Sequence, residues 1–262
     1  MFELADHAVL AIVAGGSIFV GVLLFLWVGR KLGQRAIRLY GSASPNVSSL
    51  EAAVFALLGL LIAFTFSGAL QRFDTRRTQV VEEANAIGTA WLRIDALPAQ
   101  AQPKLRETFK AYVDARIATY RALPDVDAAR NALELSRRLQ ADIWQQTAAA
   151  TRLPGARPDA AILTLPALNA MFDITTTRLA ATQIHPPRIV YLLLIALAMV
   201  TAALAGYQTA GERNYDWIHK LAFAGIISLT VYVILDIEYP RLGLVRIDAI
   251  DQLIIDVRAG MK

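Results

Sequence analysis

Leu57-Leu58-Gly59-Leu60-Leu61-Ile62-Ala63-Phe64-Thr65-Phe66-Ser67-Gly68-Ala69-Leu70, followed directly by Gln71-Arg72-Phe73-Asp74-Thr75-Arg76-Arg77, decides how this 262-residue chain is built. The apolar run passes into a charged one with no proline or glycine break at the join. One long helix is predicted, leaving a bilayer and continuing through Val81-Glu82-Glu83 to Trp91-Leu92-Arg93. Arg72 and Arg76 are four apart and share a face, with Glu83 seven residues beyond Arg76. Two readings of these charges and of Asp74 stay open. They are interfacial anchors and ordinary ion pairs, each worth little, or they form the charged mouth of a pore, which needs several copies of the chain.

Composition agrees with a bilayer. Hydrophobic residues make up 56% and charged residues 18% of the sequence, with a mean hydropathy of +0.43. A soluble domain carries about 25% charge. Disorder is excluded by the same figures. The absence of cysteine removes thiolate catalysis, zinc ribbons and iron–sulfur ligation. The net charge of +4 does not point to nucleic acid, because the basic residues are scattered and flank apolar stretches.

Four windows suit a spanning helix of roughly 20 apolar residues. They are 8–28, 52–70, 189–207 and 218–235. The first ends at Gly29-Arg30-Lys31, a positive stop, and begins with Glu3 and Asp6 rather than the basic start of a signal peptide. The second opens near Ser48-Ser49-Leu50-Glu51, with an acid in the first turn. The third is entered through His185-Pro186-Pro187-Arg188, and the fourth ends at Asp236-Ile237-Glu238-Tyr239-Pro240. The chain divides into 1–70 with spans one and two, 71–187 as a helical extramembrane domain, 188–236 with spans three and four, and a tail at 237–262.

The insert reads as helical over about 104–123, 128–151 and 165–183, with Pro124-Asp125 and Leu153-Pro154-Gly155 as breaks. In the first of these, Leu105, Phe109, Tyr112, Val113, Ile117, Tyr120 and Leu123 fall at helical spacing. The tail pattern of Val245, Ile247, Ile250, Leu253, Ile254 and Val257 against Asp248, Asp251 and Asp256 predicts an amphipathic helix docked on the insert. The fold class is all-α. The three histidines, His7, His185 and His219, form no helical ligand pair, and no nucleotide loop or nucleophile elbow occurs. No enzyme, metal site or cofactor is expected.

The stretch from Leu57 to Phe73 resembles the bestrophin-like family of ion channels and its bacterial relatives. In register are a Leu-rich run, Ala63-Phe64, Ala69, and Arg72 before the aromatic Phe73, while the family's polar triplet is replaced by Thr65-Phe66-Ser67. A second match is the acidic-Ile-acidic stretch Asp236-Ile237-Glu238, followed by Pro240 and Gly243. The order of two spans, helical insert, two spans and tail also agrees. Phe73-Asp74 stands where paired tryptophans are usual, and the dense acidic cluster of calcium-regulated animal members does not follow Pro240.

The resemblance implies a passive homo-oligomeric channel, a pentamer, multi-pass in the bacterial inner (plasma) membrane and conducting an inorganic ion. Its pore would be lined by the second span, with Phe64, Leu60 and Ala56 as an apolar neck and Ser67 and Gln71 continuing the stripe. Selectivity does not follow: Arg72 near the mouth would attract anions, Glu82, Glu83, Asp236 and Glu238 would attract cations, and the sequence does not say which set faces the lumen. The alternative is a non-conducting sensor or scaffold whose helical domain binds a ligand or partner. Orientation stays open too. Arg30, Lys31, Arg35 and Arg38 after the first span point one way under the positive-inside rule, and the family layout points the other.

Overall fold

The computed structural model describes residues 2–41, 48–123, 125–211, 217–239, 245 and 248–262. Pro124, Pro240, Gly243 and Ile247, named above, lie outside the described residues. Among those described there are eight α-helices and no strand. In order these are α1 (Phe2–Tyr40), α2 (Ser48–Arg93), α3 (Gln102–Arg121), α4 (Val126–Ala150), α5 (Ala160–Ala181), α6 (Arg188–Gln208), α7 (Trp217–Glu238) and α8 (Asp248–Ala259). Helices α1, α2, α6 and α7 are long and apolar enough to cross a membrane. The chain is all-α, with four such helices and a helical part beyond them.

Two compact units are present. One is Asp6–Gln71 with His185–Tyr239, the membrane unit; the other is Met1–Ala5, Arg72–Ile184 and Pro240–Lys262, the extramembrane unit. Helix α2 contributes to both. Its 46 residues correspond to about 69 Å of helix at 1.5 Å per residue.

In the membrane unit, helices meet through small residues. A Cβ built on Gly29 of α1 would lie 1.9 Å from the Ala203 carbonyl oxygen, and one on Gly206 of α6 would lie 2.0 Å from that of Leu26. Backbone meets backbone there, which larger side chains would forbid. Ser228 Oγ of α7 donates to the Gly15 carbonyl of α1, and Phe55 of α2 meets Phe223 of α7 with ring centroids 6.2 Å apart. Helix α2 is the least covered of the four: 11% of its most apolar stretch is buried, against 28%, 28% and 39% for α1, α6 and α7.

The end of α1 corrects the sequence reading. The helix does not stop at Gly29-Arg30-Lys31 but runs on to Tyr40, so Arg30, Lys31, Arg35 and Arg38 are helical, not loop residues. Gly29 and Gly33 are contact points against α6 and the turn after it rather than breaks. The stop is Gly41, with φ +75° and its N–H donating to the Ile37 carbonyl at 2.9 Å. Such a left-handed residue ends a helix at little cost only when it is glycine.

In the extramembrane unit, α4 starts on Asp125, whose side chain accepts from the Ala128 N–H at 3.0 Å. Helix α5 begins at Ala160, earlier than the expected start at about 165, and Pro166 sits inside it. The core gathers Ile87 and Trp91 of α2, Phe109 and Tyr112 of α3, Ile143 of α4, Met171 of α5 and Ile254 of α8. Arg258 of α8 donates from Nε and Nη2 to both Asp114 oxygens of α3, at 2.8 and 2.9 Å.

The glycine contacts set a test. Gly29→Ala, which forces a methyl into backbone atoms, is expected to destabilise the chain in detergent by about 1–3 kcal/mol. Gly16→Ala, with nothing within 4 Å of the new methyl, is expected to leave the melting temperature unchanged or slightly raised.

Candidate functional site

Along the membrane part of α2, Ala56, Leu60, Phe64, Ser67 and Gln71 are all exposed in the single chain, Leu60 at 52% and Phe64 at 67%. They recur every three to four residues and so form one line on the helix. Their backs are packed: Leu58 and Ala69, on the opposite side, are 3% and 0% exposed. Thr65 lies about 100° round the helix from Phe64, and its hydroxyl turns back onto its own helix, donating to the carbonyls of Leu61 and Ile62 at 2.8 and 3.0 Å.

The charges beyond Gln71 separate into two kinds. Asp74 is exposed and accepts from Arg77 Nη1 at 3.4 Å, a surface pair. Arg72 is half-buried. Arg76, by contrast, is buried, and its guanidinium serves α5, donating from Nε to the Ala181 carbonyl at 3.1 Å and from Nη2 to that of Ile184 at 3.2 Å. These carbonyls lie at and just past the end of α5, where no further helical N–H reaches them.

Glu83 has no exposed surface. Arg116 Nε of α3 donates to one carboxylate oxygen at 2.7 Å, and Arg178 Nη1 of α5 donates to the other. Arg178 also reaches Asp251 of α8 at 3.5 Å and lies over the Tyr120 ring, 4.1 Å from its centroid. Arg116 Nη2 donates to the Tyr120 hydroxyl. Arg76 and Glu83 therefore sit in the interior of the unit and are not the solvated anchors and weak ion pairs of the first reading. Burial pushes the Glu83 carboxyl up, and the two guanidinium groups more than offset it, holding it below the usual carboxylate range.

At the end of α7, Asp236 and Glu238 are 4% and 0% exposed. Glu238 Oε1 is 3.0 Å from His185 Nδ1, and the His185 ring stacks on Tyr239 with centroids 4.7 Å apart. His185, at the proline-flanked entry to α6, is thus a side-chain partner of the acidic motif. No group of three or more His, Asp or Glu side chains is arranged to hold a metal ion among the described residues.

Arg116 and Arg178 were missed in the sequence, although a signal was present. Arg116 falls on the line of Leu105, Phe109, Tyr112 and Tyr120, a cation in the apolar stripe of its helix. Arg178 likewise follows Ala167, Met171 and Thr175, all buried. A charge in such a stripe calls for a buried counter-charge from another helix.

Removing the carboxylate leaves two buried cations facing each other. Glu83→Gln is expected to destabilise the chain by about 3–5 kcal/mol, read by thermal unfolding in detergent. The pH dependence follows from the sign of the shift. A carboxyl depressed in the folded state stabilises fully above its unfolded value of about 4.3, and this contribution is lost as pH falls through the lower folded-state value. Wild-type melting temperature should drop on acidification below about pH 4.3, and the Glu83→Gln variant should lack that part of the drop. Equal acid slopes in the two proteins would refute the assignment.

The Bestrophin-like domain family matches residues 16–250 of the chain. A solved structure of a bacterial bestrophin homolog from Klebsiella pneumoniae, carrying a tryptophan-to-alanine mutation, is similar in fold, with a TM-score of 0.65 over 93% of this chain and 97% of its own. Sequence identity to it is 13%, so the likeness is one of fold. No curated protein matches the sequence. With the match running from within α1 into α8, the chain belongs to the bestrophin-like family.

Proposed function

We propose that the chain is a passive ion channel, assembled from copies of itself around a pore lined by α2. Family membership supports ion-channel function in general. The observation that carries the finer reading is the exposed line Ala56, Leu60, Phe64, Ser67 and Gln71 on the membrane helix least covered by its own chain. One such line per chain encloses water only if several chains close a ring, and a homopentamer is the assembly that the resemblance implies. Within it Phe64, Leu60 and Ala56 form an apolar neck at successive turns, a constriction that closes by dewetting. Ser67 and Gln71 follow as neutral polar positions. The partners are an inorganic ion, the lipid bilayer and the chain itself, and the location is a bacterial inner membrane, crossed four times.

Single-channel recording of purified protein in planar bilayers tests this. Phe64→Ala, which widens and wets the neck, is expected to raise conductance or open probability at least about twofold. Currents indifferent to the substitution would remove Phe64 from the neck. A silent protein of non-ring stoichiometry would favour the sensor or scaffold reading.

A further inference from the structure

We infer that Glu82 supplies the charged ring of this pore and makes it prefer cations, an inference that rests on the pore reading above. Helix α2 is continuous from Ser48 to Arg93. At 100° per residue, eighteen residues complete five turns, so Glu82 repeats the angular position of Phe64 about 27 Å further along the helix. Gln71, Thr75 and Thr78 between them, and Thr89 beyond, fall within about 40° of the same line, and every one of these side chains is exposed. The line that begins at the apolar neck therefore runs unbroken out of the apolar segment, and its chemistry changes from methyl and phenyl to hydroxyl and amide.

Glu82 is the acid on that line. Its neighbour Glu83 is consumed by Arg116 and Arg178 in the core, whereas Glu82 is exposed. The positions one turn away, Thr78, Gln79, Asn85 and Ala86, hold no lysine or arginine to neutralise it within the helix. The basic residues of α2 are less well placed. Arg93 lies near the line but donates to the Leu163 carbonyl at 2.8 Å. Arg76 is turned into the core, Arg77 is paired with Asp74, and half-buried Arg72 lies about 80° round the helix from Phe64. A carboxylate repeated once per copy around a lumen concentrates cations and repels anions, as acidic rings do in cation channels.

The test is the reversal potential of the full-length protein in planar bilayers under a potassium chloride gradient. Wild type should favour potassium. Glu82→Gln should lower the potassium-to-chloride permeability ratio at least about threefold, and Glu82→Arg should lower it further. Glu107→Gln, which removes another exposed acid on α3, should change nothing. The wild-type preference should also shrink at molar salt, where the screening length falls to about 3 Å. Because the sequence has no cysteine, Glu82→Cys gives a single addressable thiol. An anionic thiosulfonate should restore cation preference there, and a cationic one should reduce it. Equal reversal potentials in wild type, Glu82→Gln and Glu82→Arg, with a thiol indifferent to either reagent, would overturn the role of Glu82 and leave the pore standing. Absence of current from the wild type as well would overturn the pore reading, and this inference with it.

Discussion

Glu83 is drawn into the interior of the extramembrane unit by Arg116 of α3 and Arg178 of α5, and Arg178 in turn reaches Asp251 of α8. Two acids and two bases from four helices balance in charge. Desolvating each ion costs several kcal/mol, and the cost is offset only if every partner arrives together. An apolar cluster of similar volume would hold the helices as firmly but would tolerate sliding or rotation. The Glu83 carboxylate, bonded on both oxygens by different helices, ties α2 to α3 and α5 at this point.

Burial along α2 falls on one side of the helix. Glu51, Leu58, Ala69, Arg76, Val80, Glu83 and Ile87 are all nearly or fully buried. Their spacings of 7, 11, 7, 4, 3 and 4 residues keep them on one side of the helix. With this side committed to intrachain packing from the second turn onward, the opposite side, with Phe64 near its centre, is left outward over the whole length. Within the extramembrane unit, Glu82 is exposed and Glu83 buried because they fall on different sides of the same helix.

Much of this was legible in the sequence, because it depends on local pattern. The continuity of α2 follows from an unbroken helical run between Leu70 and Arg93, and the four apolar helices follow from composition. The end of α1 was misread because a glycine beside basic residues looks like a stop, whereas Gly29 is small for the sake of the Ala203 backbone and Gly41 does the stopping. Pro166 similarly looks like a start but lies within α5. The partners of Glu83 and Glu238 were beyond reach for another reason. Arg116, Arg178 and His185 lie 33, 95 and 53 residues from the acids they meet, and no periodicity carries information over such separations. Only the presence of Arg116 and Arg178 in apolar stripes hinted that acids must come to them.

Exposure of an apolar helix face does not by itself distinguish lipid from lumen, since hydrocarbon is as good a solvent for Leu60 and Phe64 as another protein surface. The proposed pore reading is supported by what continues the line. A face meant for lipid stays apolar to the interface and then ends in anchors such as Trp, Tyr, Lys or Arg. The line through Phe64 passes instead through Ser67, Gln71, Thr75 and Thr78 to Glu82, small neutral polar groups followed by an acid. The basic residues of the same stretch are turned aside: Arg76 onto α5 carbonyls, and Arg77 onto Asp74. Packing within the membrane unit favours the same conclusion. Backbone-to-backbone contact is concentrated between α1 and α6 through Gly29 and Gly206, which leaves α2 the least covered of the four helices. In the proposed pore, an apolar neck followed by hydroxyl, amide and carboxylate along one helix line is the order of surroundings suited to an ion passing from a dewetted neck into a hydrated vestibule.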